Sequence, residues 1–145
     1  MELSPGYKLT EAGIIPEEWD VRRLREISPK QSVGLVINPS TYFDKMGTVP
    51  LLVGSNVGEN SIDAASARKI TQSSNEALSA SRLAAGDLVT VRVGEPGTTA
   101  VIPLELDGCN CASMMVTRRH ASFDSHWLCA AMNSRLGRGQ VEGVQ

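Results

Sequence analysis

The chain has 145 residues, 41% hydrophobic, 21% charged and only 4% aromatic. That is enough chain for one domain with a core of Val, Leu, Ile, Ala and Met, and the balance favours a globular fold over disorder. The formal net charge of −2 argues against binding nucleic acid by bulk electrostatics, which ordinarily shows a clear basic excess.

No apolar run reaches the roughly 18–20 residues of a membrane helix, and the first residues lack the basic start and apolar stretch of a secretory leader. Three cysteines, Cys109, Cys111 and Cys129, are too few for a disulfide framework. They are expected to be reduced thiols in a cytoplasmic protein.

Residues 1–14 are polar and predict an N-terminal arm; residues 15–145 predict a single domain. Trp19, Val21 and Arg23 alternate with their neighbours and suggest a short strand, and Leu24 to Ile27 a helical turn. Pro29, Gly34, Pro39 and Gly47 bracket the β-branched Val33, Val36 and Ile37, which predicts a strand and a loop. Val49 to Val53 is a second apolar run, closed by the turn residues Gly54-Ser55-Asn56.

Ser73-Ser74-Asn75-Glu76 has the form of a capping box, opening a helix that carries Ala77, Leu78, Ala80 and Leu83 and stops at Gly86. Gly86-Asp87 then turns the chain into Leu88 to Val93, the clearest strand. Gly94-Glu95-Pro96-Gly97 is a tight turn, and Ala100 to Ile102 returns as the second arm of a hairpin. Ala112 to Thr117 predicts another strand. Ser122 or Asp124 caps a last helix to about Met132, expected to bury Phe123, Trp127, Leu128, Ala130 and Ala131. Intermixed strands and helices predict an α+β fold with a mixed, largely antiparallel sheet and a few short helices packed on it.

Few patterns carry chemistry. Cys109, Cys111, His120, His126 and Cys129 are ligand types suited to zinc, but Cys-x-Cys is not finger spacing, and two of the five fall on the last predicted helix, so no metal is expected. No nucleophile elbow, zinc-protease helix or P-loop is present, and no catalytic residue or cofactor is assigned. Asn38-Pro39-Ser40-Thr41 only echoes the motif of amino-methylating enzymes and reads more simply as a loop.

What remains are polar and basic residues at strand ends and turns: Ser55, Asn56 and Asn60, then Arg68 and Lys69, then Arg92, and finally Thr98 and Thr99. Arg pairs with guanine edges and Asn with adenine, whereas Lys suits phosphate. The charge is also uneven. Acids outnumber bases between Thr71 and Asp107, while Arg118, Arg119, Arg135 and Arg138 face only Asp124 and Glu142 after Gly108.

Six segments in order then resemble one family. They are Ile15-Pro-Glu-Glu-Trp19; Val49-Pro-Leu-Leu-Val-Gly-Ser-Asn-Val57; Leu83-Ala-Ala-Gly-Asp-Leu-Val-Thr-Val-Arg-Val-Gly94; Gly97-Thr-Thr-Ala-Val-Ile102; Cys109-Asn-Cys-Ala-Ser-Met-Met-Val-Thr-Arg118; and Trp127-Leu128 through Asn133-Ser134 to Gly137. The succession is similar to the target recognition domain of type I restriction-modification specificity subunits, over nearly all the chain after residue 13.

The resemblance implies a non-catalytic, sequence-specific reader of double-stranded DNA that docks methyltransferase and restriction subunits. By position it implies that the turn after Val53, the Arg92–Gly97 turn and the segment around Asn110 lie near DNA. Gly54, Gly86, Asp87, Gly94 and Gly97 would shape the turns. Such subunits carry two recognition domains and paired spacer helices, whereas this sequence stops at Gln145 without the expected final strand, so residues 15–145 read as a truncated domain. The alternative is a protein-interaction module, such as a homodimer, that docks through the sheet edge left free and does not read DNA.

Overall fold

The polar N-terminal segment folds back on itself. A computed structural model describes residues 3–28, 30–36 and 38–142; Pro29, Ile37 and residues 143–145 of the sequence reading lie outside them. Strand β1 (Tyr7–Thr10) pairs antiparallel with β2 (Gly13–Pro16), and Thr10 Oγ1 closes the turn by accepting from Ala12 N–H and donating to the Gly13 carbonyl. The hairpin thus crosses the expected boundary between arm and domain. Trp19 to Arg23 form no strand, and Trp19 is 57% exposed; a short alternation without a pairing partner does not hold a strand. The turn after it is helix α1 (Leu24–Ile27).

Strand β4 (Val49–Leu52) forms on its apolar run, whereas β3 (Gln31–Val33) shares only Val33 with the predicted β-branched run, and Val36 is exposed outside any strand. They are followed by a small hairpin of β5 (Val57–Gly58) and β6 (Ser61–Ile62), then by β7 (Arg68–Ile70). The cap of helix α2 (Gln72–Ala77) lies two residues before the expected one: Thr71 Oγ1, not Ser73, accepts from a backbone amide, that of Ser74. The helix also ends early. Leu78 leaves helical geometry (ψ 42°) and its carbonyl accepts from Asn110 Nδ2 at 3.1 Å, so a tertiary contact overrides local helix propensity and a 3₁₀ turn at Ser79–Ser81 follows.

The predicted hairpin is present as β8 (Leu88–Thr90) and β9 (Thr99–Val101). The single strand expected over Ala112–Thr117 is instead two, β10 (Asn110–Cys111) and β11 (Met115–Thr117), parted by Ser113 at φ 59°. The kink lets the chain leave one sheet and join the other. Helix α3 (Ser125–Asn133) is capped by Asp124, one of the two expected caps, and α4 (Arg135–Glu142) follows it.

Two sheets result. One is antiparallel in the order β3-β11-β8-β9; the other runs β10-β4-β7, with β10 parallel to β4 and β7 antiparallel to it. This is the mixed, largely antiparallel α+β fold that the sequence predicts. Strand β8 is buried on both faces, as a continuous apolar run requires. Val89 and the following Val91 point into the main core with Leu52, Ile102, Met114 and Val116, whereas Leu88 packs on Leu128, Cys129 and Met132 of α3. Each such side chain contributes about 1.5–3 kcal/mol. Trp127 and Ala130, expected inside, face outward because the buried stripe of α3 is Leu128, Cys129 and Met132.

One carboxylate joins the layers. Asp87, 2% exposed, accepts from Ala84 N–H and the Arg118 guanidinium through Oδ2 and from Arg119 N–H through Oδ1, each at 2.9 Å. Arg118 also donates to the carbonyls of Arg82 and Ala80. The Asp87→Ala variant should therefore unfold at lower urea, losing about 3–5 kcal/mol, since it leaves a partly buried cation and two amides without their acceptor. An unchanged midpoint would show that water replaces the carboxylate.

Candidate nucleic-acid interface

Strand direction gathers several turns at one end of the molecule. β4 ends at Leu52 and gives way to the turn Val53–Asn56. Leu52 accepts from Ala112 N–H, and Leu35 both donates to the Cys111 carbonyl and accepts from Ser113 N–H, so residues 34–36 and the Ser113 kink meet there. β11 starts beside the end of β8, with Met115 opposite Thr90, so Arg92 and the hairpin tip rise from the same end. A Cβ built on Gly54 would lie 3.5 Å from Val91 Cγ1 and 3.7 Å from the Val93 carbonyl. The rim is thus made of turns 34–36, 53–56, 92–97 and 113.

The residues singled out in the sequence divide sharply. Ser55, Arg68, Lys69 and Arg92 are exposed. Arg68 opposes Leu51 across the β4–β7 pair, which puts it near the rim; Lys69 opposes Pro50, one step further away. The Arg68 guanidinium lies over the Phe43 ring, 4.8 Å from its centroid. At the tip, Gly94 and Gly97 have φ of +100° and +90°, a conformation that side chains resist. Gly97 N–H donates to the Val91 carbonyl and Val91 N–H to that of Thr98, holding the turn closed beneath Arg92.

Asn56, Thr98 and Asn110 are inside. Asn56 Oδ1 accepts from Val53 N–H and its Nδ2 donates to Ser66 Oγ, bracing the 53–56 turn against the 63–66 loop. Asn110, fully buried, accepts from Ser81 Oγ at 2.6 Å and from Cys111 N–H, and donates to Asn75 Oδ1 at 2.8 Å and to the Leu78 carbonyl. Thr98 is buried beneath the hairpin tip. Asn56 thus holds a rim turn, Asn110 ties β10 to the 75–81 segment, and Thr98 is packed inside. Gly54 is not in the left-handed region, so its place in the turn rests on adjacency to β8.

Asn60 and Thr99 serve the far edge of β9. Asn133 Oδ1 accepts from Thr99 N–H and its Nδ2 donates to the Thr99 carbonyl, both at 2.8 Å, while Asn60 N–H donates to the same carbonyl. The side-chain amide of α3 thereby stands in for a neighbouring strand, and the edge expected to be open is covered at Thr99.

Sequence reasoning missed Val93 and Lys45. Val93 is 85% exposed at the tip beside Arg92, an apolar side chain suited to a thymine methyl. An apolar residue next to a turn glycine is the local signal for it. Lys45 sits in the loop before β4 with no motif around it.

The thiols belong to the frame. Burial pushes Cys109 up to about 12, with the neighbouring Cys111 adding to the effect; burial likewise pushes Cys111 up to about 12, and raises Cys129. All three are buried and free. Among the described residues no group of three or more His, Cys, Asp or Glu could hold a metal ion, and no helix is long and apolar enough to cross a membrane.

The amino-acid sequence matches no family model and no curated protein. The fold does match solved structures. One is the HsdS subunit from Thermoanaerobacter tengcongensis, 18% identical with a TM-score of 0.57, where the match covers 97% of this chain and 30% of that one. Another comes from work on complex assembly and conformational transition of the type I R-M system; it is 20% identical with a TM-score of 0.59, and the match covers 99% of this chain and 31% of that one. The fold is therefore shared with specificity-subunit structures, and this chain spans about a third of their length.

Two expected outcomes separate frame from rim. Asn110→Ala should lower stability by about 1–3 kcal/mol in urea melts, since Asn75, Ser81 and the Cys111 amide lose buried partners; a neutral change would place the network outside the stabilising core. Raised thiol pKa values keep the folded protein protonated where the unfolded chain ionises, from 9.0 to about 12. The unfolded state then binds fewer protons, so this contribution is intact below pH 9 and is lost as pH rises toward 12. A Cys109→Ala/Cys111→Ala protein should show a shallower stability loss above pH 9 than the parent; parallel curves would refute the burial argument.

Proposed function

We propose that this chain reads the base sequence of double-stranded DNA as the recognition part of a type I restriction-modification specificity subunit. It does no bond-making itself, and in the cytoplasm it would direct methyltransferase and restriction subunits to their site. The observation that carries this reading is the rim: an exposed Arg92 and Val93 at the tip of a closed hairpin, beside the exposed Ser55, on a fold shared with HsdS structures. Arg offers a planar pair of donors to guanine, and Val an apolar surface to thymine. Both stand on turns whose buried side chains fix their position, which is what discrimination between bases demands. Arg68 and Lys69 supply positive charge near the same end.

A second reading has its own observation. Trp19, Trp127 and Leu136 are 57%, 64% and 56% exposed along one groove, an apolar surface suited to association with a second copy of the chain. Light scattering beside gel shifts on a random-sequence duplex pool distinguishes the two: a dimer that shifts no duplex supports association alone.

The test of DNA reading is Arg92→Ala on the duplex that the wild-type protein enriches from that pool. Loss of a two-donor base contact should cost about 1–3 kcal/mol, roughly 5- to 150-fold in Kd, and relax preference at one base pair. Failure to enrich any sequence would end the proposal. Enrichment with Arg92→Ala binding unchanged would remove that residue from the site.

A further inference from the structure

We propose that the cleft between the 40–47 loop and β7 grips the phosphodiester backbone of double-stranded DNA, with Lys45, Arg68 and Lys69 pairing with phosphate oxygens regardless of base. The inference rests on the DNA-reading function above and assigns a separate task to a separate surface.

The cleft, about 450 Å³, is lined by Lys45, Arg68 and Lys69 with Phe43, Asp44 and Gly47. Three cations and one carboxylate meet here on a chain whose net charge is −2. The ion pairs among the described residues, Arg22–Asp20, Arg118–Asp87 and Arg138–Glu59, involve none of these three cations. The one carboxylate is engaged locally: Asp44 Oδ1 accepts from Met46 N–H at 2.7 Å. The cleft lining therefore keeps an excess of positive charge, three cations against one carboxylate.

The surface is also stiff. Asp44 N–H donates to the Lys69 carbonyl and Thr48 N–H to that of Ile70, and Phe43 bridges to Ile70, so the loop lies against the outer side of β7. A Cβ on Gly47 would come within 2.8 Å of the Ile70 carbonyl group, so only glycine permits so close an approach. Arg68 lies on the Phe43 ring, which limits its rotamers and leaves its donor edge to meet an oxygen.

Lysine suits phosphate better than base edges, because its ammonium is a point charge without planar direction. With two of three cations being lysines, the cleft fits the uniform part of a DNA ligand. Arg68 opposes Leu51, two residues before the 53–56 turn, so a duplex crossing the rim brings its backbone past β7.

The measurement is the salt dependence of binding to a fluorescent duplex pool of random sequence, from about 50 to 200 mM salt. Each phosphate contact contributes roughly 0.9 to the slope of log K against log salt, so Lys45→Gln/Arg68→Gln/Lys69→Gln together should lower it by roughly 2–3. The sequence enriched by the variant should match that of the wild type. A control, Arg22→Gln/Arg23→Gln/Arg25→Gln, removes equal charge around α1 and should leave the slope unchanged. If wild type and cleft variant share one slope and affinity, or if the control loses as much, the cleft assignment is wrong while DNA reading stands. An altered enriched sequence also overturns it, by making these side chains base readers. Wild-type protein that binds no duplex at any salt removes both proposals.

Discussion

A buried carboxylate with three donors sets the geometry of the whole domain. Asp87 sits where the chain enters β8 and binds the loop before it, the guanidinium of Arg118 and the amide of Arg119 just beyond β11. A charge this deep is stable only when paired and hydrogen-bonded, and here one side chain satisfies three donors from two stretches of chain, Ala84 and Arg118–Arg119. Its effect is positional. With β8 and β11 tied at one end, their antiparallel register fixes how far the Arg92 tip and the Ser113 kink extend at the other. The rim is thus aligned by an interaction at the opposite end of the same strands.

That arrangement bears on how a weakly acidic protein could approach a polyanion. Charges that hold the fold are neutralised inside it, Asp87 by Arg118 above all, and contribute little field outside. What a ligand meets is local, because mobile ions screen exposed charges beyond about 8 Å at physiological ionic strength. The basic cleft beside β7 is therefore felt at short range even though the chain as a whole carries −2. Weak overall attraction also favours discrimination: the less binding comes from uniform phosphate contacts, the larger the share that depends on bases.

Local signals in the sequence were read well, and long-range ones were not. The β8–β9 hairpin and the Asp124 cap of α3 depend on neighbours within a few residues, and both formed as expected. The cap of α2 moved from Ser73 to Thr71 because Ile70 ends a strand whose pairing with β4 dictates where the helix begins. Ala112–Thr117 looked uniform as a strand, yet the chain changes sheet at Ser113, a decision made by Leu35 and Leu52 far away in sequence. The candidate site shows the same division. Arg92 and Ser55 were legible as turn residues, whereas Asn56 and Asn110 looked like surface amides. Asn110 finds its partner Asn75 35 residues away, and nothing local reveals that. Lys45 gains meaning only because its loop folds onto β7.

On the proposed DNA-reading function, the division between frame and tip bears on how such a fold would change its contacts. The asparagine network under the rim consists of buried side-chain amides and hydroxyls whose donors and acceptors are matched to one another, so replacing one leaves another unsatisfied at a cost of about 1–3 kcal/mol. The tip is held differently. Arg92 and Val93 lie at a turn whose conformation is held by Gly94, Gly97 and backbone hydrogen bonds. If the tip meets DNA as proposed, substitution of the exposed Val93 would alter the apolar surface offered to a base without touching the buried amides. A surface of this kind varies its chemistry at low structural cost because its geometry is determined elsewhere, by Asp87 and the buried amides.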